Sequence, residues 1–205
     1  MFYEAMNEKT KLLWDKSRFL KEEGFYLAGG TALALQIKHR ISIDLDFFTN
    51  TPIKKTLLSK IEEKFKSTPS VLVNTKNELT MLIEGVKITF LYYPFSLKER
   101  LVETNIVPLA SVRDIASMKA YAMGRRRSLK DYVDLYNVLS NKFVSLSTII
   151  SDSIEKYNEG FNDRLFCEQL ISPNDLENEP IIWLGKEIPK PEMCSFFEKE
   201  VTTFL

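Results

Sequence analysis

Residues 25–48 read FYLAGGTALALQIKHRISIDLDFF, and the order of textures within them decides the fold. Phe25–Ala28 is an apolar run of strand character, and Gly29-Gly30 breaks it. Thr31 is placed to cap a short helix over Ala32–Lys38. From Ile41 to Phe48 the residues alternate. Ile41, Ile43, Leu45 and Phe47 fall on one face; Ser42, Asp44, Asp46 and Phe48 fall on the other. The expected local structure is strand, glycine turn, helix, strand.

Chemistry follows from that order. The glycines allow a sharp turn and the close approach of a ligand. The helix start behind them offers unbonded N–H groups and the positive end of a dipole, which suit a phosphate. Asp44 and Asp46 stand two apart on a strand, so their carboxylates share a face. Aspartate is a poor strand former, and two like charges side by side repel unless a cation sits between them. Oxygen donors on a rigid element suit Mg²⁺ bridging nucleotide phosphates. A Gly-Gly is usually only a turn, and Asp-x-Asp often only a solvated strand face. Their order in one strand–turn–helix–strand unit gives them weight together.

Outward from this stretch, Glu4–Glu23 reads as a helix with Leu12, Leu13, Phe19 and Leu20 on one side, ended by Gly24. Downstream, Thr51-Pro52 resembles a helix start, and Ile53, Leu57, Leu58, Ile61 and Phe65 form a stripe to about Lys66. Glu78–Glu84 and Val86–Tyr93 read as strands joined at Gly85. Near Ala110 the texture turns helical. Ser111 with Asp114, and Ser128 with Asp131, open helices in the manner of capping boxes; these end near Gly124 and Leu139. Further helices are expected over Leu146–Tyr157, over Arg164–Ile171, and from Pro191. The sum is an α+β chain: a mixed sheet with helices over 1–110, then a helical half over 111–205.

Bulk composition narrows the function. The chain has 205 residues, 28 Lys+Arg against 28 Asp+Glu, and one His. Zero formal charge argues against a tail that binds nucleic acid by bulk electrostatics. Cys167 and Cys194 lack metal-ligand spacing, so neither a zinc site nor a disulfide framework is indicated. No secretory leader is evident, and no stretch approaches the roughly 18 apolar residues of a membrane span. A cytoplasmic protein is the expectation. The Ser and Cys residues show no partner histidine for a hydrolase triad. His39 is assigned to structure.

The helical half carries a second group. Lys119 lies in the apolar stripe of Val112, Ile115, Ala122 and Met123. An ammonium there needs a carboxylate or a phosphate, or must snorkel from the edge. Asp131 reads as a cap, yet sits at the margin of the stripe Leu129, Tyr132, Leu135, Tyr136 and Leu139. Asp134 points away from that stripe and is expected to be solvated. Arg125-Arg126-Arg127 is either a basic flank favourable to the helix dipole or a patch for triphosphate or an RNA backbone.

These motifs carry a resemblance. Gly29-Gly30, thirteen further residues and Asp44-Leu45-Asp46 are similar to the signature of the polymerase-β-like nucleotidyltransferases. More closely, GGTALAL with HRISIDLDFF, and DIASMKAYAMGRRRSLKDYVDLYNVL, resemble the AbiEii/AbiGii toxin family over roughly Phe25 to Leu139. The resemblance implies a nucleotidyltransferase-like α+β fold whose helical half contributes to the active-site cleft. It implies transfer of a nucleotidyl group from an NTP to an acceptor hydroxyl, in RNA, tRNA or protein. It also implies Mg²⁺ or Mn²⁺ on Asp44 and Asp46, and a toxin of an abortive-infection or toxin–antitoxin system held by a separate antitoxin. Gly29, Gly30, Thr31, Ser42 and Lys119 would bind the nucleotide, with Asp44, Asp46, Lys119 and Asp131 catalytic and Asp134 the second choice for the acid of that helix.

One departure stands out. Many such enzymes place a third carboxylate on a later strand. Here that run, VKITFLYYP, offers Lys87 and Thr89. Either Asp131 supplies the third acid, or the chain is an impaired nucleotide- or protein-binding module of the same fold.

Overall fold

The computed structural model describes residues 1–173 and 176–204. The chain divides into two compact units, one of residues 1–95 with 100–111, the other of 96–99 with 112–204.

The first unit is built on five strands: β1 (Tyr26–Ala28), β2 (Leu45–Thr49), β3 (Ser70–Asn74), β4 (Glu78–Ile83) and β5 (Val86–Tyr92). Their spatial order is β1-β2-β5-β4-β3. All neighbours are antiparallel except β2 and β5, so the sheet is mixed, as the sequence predicts. Four helices accompany it: α1 (Glu8–Lys16), α2 (Phe19–Glu22), α3 (Gly29–Ile37) and α4 (Leu57–Phe65). Alternation puts Leu45 and Phe47 of β2, Ile88 and Phe90 of β5, and Leu79, Met81 and Ile83 of β4 on one buried face. Phe47 stacks on Phe90 at 5.3 Å, and Phe25 meets Phe90 edge-on. Truncating a ring buried as fully as Phe47 to alanine costs about 3–5 kcal/mol. The opposite face carries Asp46 and its neighbours.

Several expected elements are shorter. The first helix breaks at Ser17, whose hydroxyl donates to the Leu13 carbonyl; Leu13 and Leu20 are buried, but Leu12 faces solvent. Gly24, at φ +80°, ends the second piece. The helix after Thr51-Pro52 begins only at Leu57, with Leu57, Ile61 and Phe65 as its buried side; Ile53 is buried too but lies before it. β3 has no counterpart in the sequence reading; it is an edge strand with mostly exposed side chains.

The second unit holds α5 (Val112–Met123), α6 (Leu129–Ser140), α7 (Leu146–Tyr157), α8 (Asp163–Leu170) and α9 (Lys190–Phe204). The buried Asp114 carboxylate accepts from the Lys98 and Glu99 amides at 2.8 and 3.1 Å and from Lys156 Nζ at 2.8 Å. That network ties α5 to α7 and holds residues 96–99 in this unit. Arg113 grips Asp152 through two bonds of 2.7 and 2.9 Å. Cys167 and Cys194 are free thiols. Among the described residues, no helix is long and apolar enough to cross a membrane.

Candidate active site

The first cluster grows out of the β1–α3 turn. α3 begins at Gly29, earlier than expected, with Ala28 as its N-cap; Thr31 is therefore inside the first turn and does not cap it. Gly29 has φ +66°, and a Cβ there would lie 2.6 Å from Asp46 Oδ2. Glycine is required on both counts. At Gly30 a Cβ would collide with the Arg40 guanidinium and lie 3.3 Å from Ser42 Oγ. The two glycines thus make room for a carboxylate and a guanidinium of the chain itself.

The expected strand over Ile41–Phe48 forms only from Leu45. Ile43 is 45% exposed, so the apolar face stops short of it. Residues 42–44 are held instead by three tethers. The Ser42 amide donates to the Ala5 carbonyl at 2.8 Å. Thr10 Oγ1 donates to the Ile43 carbonyl at 2.8 Å. Thr31, itself buried, bonds Ser42 Oγ at 2.8 Å and the Asp44 carbonyl. Alternating patterning mimics a strand here, but the backbone bonds go to α1, α3 and the N-terminal segment.

Asp46 lies in β2 opposite Ala28 of β1 and Thr89 of β5. The strand position next to Asp46 on β5 is therefore a threonine, and Lys87 stands two residues before it. Lys87 Nζ lies 3.9 Å from Asp44 Oδ2. That carboxylate is 39% exposed and accepts no hydrogen bond among the described residues, so its oxygens are unspent. No group of three or more His, Cys, Asp or Glu side chains suited to a metal occurs among the described residues. Two carboxylates, one of them with unspent oxygens, fit a hard divalent ion that takes its other ligands from phosphates and water.

The second cluster lies within the helical unit. Lys119 of α5 is 5% exposed, and its ammonium sits 2.7 Å from Asp131 Oδ1 and 2.6 Å from Asp134 Oδ2. The demand for a partner is met by two carboxylates three residues apart on α6. Arg126 adds a fork onto Asp131 at 3.0 and 3.2 Å. Burial opposes ionisation of Asp131, but the charges of Lys119 and Arg126 outweigh it and hold the carboxyl below its ordinary range. Asp134 is fully buried, not solvated. The single-stripe picture fails because α6 packs against α5 on one side and α9 on another. Nor does Asp131 act as a cap: Ser128 makes no side-chain capping bond, and its hydroxyl donates to Glu179. Glu179 also accepts from the Leu129 amide at 2.6 Å, so the anion at this helix start comes from fifty residues downstream.

The three arginines part company. Arg126 serves Asp131. Arg127 donates to the Ser172 carbonyl. Arg125 stacks 3.5 Å above Tyr121, which stacks on Tyr157 at 3.8 Å. Its guanidinium donates to the carbonyls of Tyr121 and Gly160, and no carboxylate among the described residues neutralises it. His39 is buried. Arg40 is the charged neighbour that sequence reasoning missed; that reasoning marks Lys87 only for standing where a carboxylate is sought, and Asp134 only as a second choice of acid expected in solvent. The Asp131–Asp134 spacing of three was the one available signal.

A mixed sheet with Gly-Gly, Asp-x-Asp and a helical second half defines the nucleotidyltransferase class of fold. MenT4, a nucleotidyltransferase toxin from Mycobacterium tuberculosis, shares it with a TM-score of 0.64 over 97% of this chain and 86% of that one, at 14% identity. A candidate nucleotidyltransferase from Helicobacter pylori matches 97% of this chain and 99% of its own, with a TM-score of 0.53 and 16% identity. The family model for the nucleotidyl transferase AbiEii toxin of type IV toxin–antitoxin systems matches residues 11–89. An uncharacterised protein of Aquifex aeolicus is 31% identical over 185 residues, covering 88% of each chain. The chain belongs to the AbiEii family of nucleotidyltransferase toxins.

Proposed function

We propose that this chain transfers a nucleotidyl group from an NTP to an acceptor hydroxyl of RNA, with the 3′ end of tRNA as the leading acceptor, and that an antitoxin restrains it in the cell. The observation that carries the reading is the Asp44 carboxylate. It is held on a tethered backbone beside Asp46 and the N-terminus of α3, and its oxygens are unspent.

Asp44 and Asp46 would hold Mg²⁺ or Mn²⁺, and Gly29, Gly30 and the first amides of α3 would face phosphate. Bound there, the ion would neutralise charge on the transferring phosphoryl group. Ser42 would assist nucleotide binding, and Thr31 would fix the Asp44 backbone. In the helical unit, Lys119 and Asp131 would serve the same reaction. A carboxylate held ionised by two cations is a weak base, so Asp131 is better suited to orienting the acceptor hydroxyl than to deprotonating it. Arg125, Arg126 and Arg127 would contact the acceptor or the phosphates. Positioning and charge neutralisation supply most of the rate in this chemistry.

Thr89 beside Asp46 supports a second reading, a nucleotide-binding module without turnover. One assay separates the two. The protein is incubated with Mg²⁺ or Mn²⁺, each α-labelled NTP, and total RNA or protein, with Asp46→Asn in parallel. Label on a defined RNA that vanishes in the variant supports the transferase. Nucleotide binding without label on any acceptor supports the module.

A further inference from the structure

We propose that Lys87 keeps the Asp44–Asp46 pair a poor cation site until a triphosphate arrives, and that its ammonium then pairs with the phosphates. This rests on the nucleotidyl-transfer reading above. In effect Lys87 makes the divalent ion enter with the nucleotide and not before it.

Two independent observations place the lysine. The first is the distance of 3.9 Å from Nζ to Asp44 Oδ2. The second is strand register. The parallel β2–β5 ladder begins at the Leu45–Ile88 pair, and Asp44 and Lys87 are the residues immediately before that pair on their two chains. The ladder that starts at the next residue pair, together with the Thr31 bond to the Asp44 carbonyl, brings the two residues near each other. Lys87 makes no other ion pair or hydrogen bond among the described residues, and its side chain is 47% exposed. It is tethered at Cα and free at its tip.

The electrostatic consequence is direct. A positive charge about 4 Å from one ligand of a prospective dication raises the free energy of that ion and lowers that of a polyanion. The Arg40 guanidinium over Gly30, next to the glycine that carries Asp46 Oδ2, adds a second positive charge to the same region. With the phosphates absent, the Lys87 ammonium opposes a dication; with them present, it pairs with their anionic oxygens. Exposure and salt screen the interaction, so the effect is a few-fold one. A carboxylate on β5 at this place would do the opposite and recruit the metal directly.

The test measures binding, not turnover. Free Mn²⁺ is followed by its paramagnetic resonance in titrations of wild type, Lys87→Gln, Lys87→Glu, Lys87→Arg and Asp46→Asn, with and without a non-hydrolysable NTP analogue. Folding is checked by thermal melts. Lys87→Gln is expected to tighten Mn²⁺ binding to the nucleotide-free protein roughly three- to tenfold and to weaken the analogue by a similar factor. Lys87→Glu should extend both trends, and Lys87→Arg should resemble wild type. The opposed directions are the signature, since a merely structural loss weakens both. Unchanged or parallel-moving affinities in Lys87→Gln overturn the proposal, while Asp46-dependent Mn²⁺–nucleotide binding in wild type leaves the transferase reading standing. Absence of any Asp46-dependent binding in wild type overturns both.

Discussion

Lys119 Nζ and Asp134 Oδ2 stand 2.6 Å apart, both out of water, on two helices that meet within one unit. With Asp131 and Arg126 they form a set of two cations and two anions. Such a set is stable only when complete. Removing one partner leaves a buried charge uncompensated, at a cost of about 3–5 kcal/mol. Asp134→Ala should therefore lower the urea midpoint sharply. Lys119→Met with Asp134→Leu should recover part of the loss, because a neutral apolar pair leaves fewer charges stranded. A double variant no more stable than the single one would show that the pair is not the unit of stability.

Asp131 gives a pH dependence whose sign is fixed. Its carboxyl is held below the ordinary 3.8 in the folded chain by Lys119 and Arg126 against the opposing effect of burial. A depressed carboxyl contributes stability that is present above the unfolded value and is lost as pH falls through the folded one. The stability difference between wild type and Asp131→Asn should be constant from about pH 7 to 5 and shrink below about pH 4. Urea unfolding of both proteins across that range measures it. A difference that grows on acidification would contradict the assignment.

The glycine pair makes a sharper prediction. Gly29→Ala meets Asp46 at 2.6 Å and forces a side chain to φ +66°, so it should cost about 1–3 kcal/mol and displace the carboxylate. Gly30→Ala should instead push out the Arg40 guanidinium. Both should abolish label transfer while the protein remains folded. If Gly29→Ala retains wild-type Mn²⁺–nucleotide binding, the Asp46 carboxylate is not held by that turn.

Much of this site was legible before the fold. The order strand, Gly-Gly, helix, Asp-x-Asp located the first cluster because each step rests on local backbone chemistry. Lys119 announced its need for a partner by lying in an apolar stripe. What escaped was set by long-range contacts. Ile41–Asp44 alternates like a strand, yet Ala5, Thr10 and Thr31 hold it as a tethered loop. Asp134 looks solvated on one helical wheel, because a wheel cannot show that α6 is buried on two sides. Arg40 enters the cluster through the space over Gly30, which no local pattern announces.

Arg125 separates an acceptor surface from a helix flank. Its guanidinium is pre-ordered on Tyr121 and by two carbonyls, exposed, and not neutralised by any carboxylate among the described residues. A flank needs none of that order; a polynucleotide contact uses all of it, as a plane for a base or a charge for a phosphate. With RNA as acceptor, Arg125→Ala should raise the acceptor KM about three- to tenfold with little change in the NTP KM, and should lower the salt slope of RNA binding by about one. Arg125→Lys should keep the salt slope but not the affinity, because lysine carries the charge without the plane. Arg126→Ala should behave differently again: it uncovers Asp131 and so should lower stability together with kcat. Equal RNA binding by wild type and Arg125→Ala at several salt concentrations would return the residue to the helix dipole.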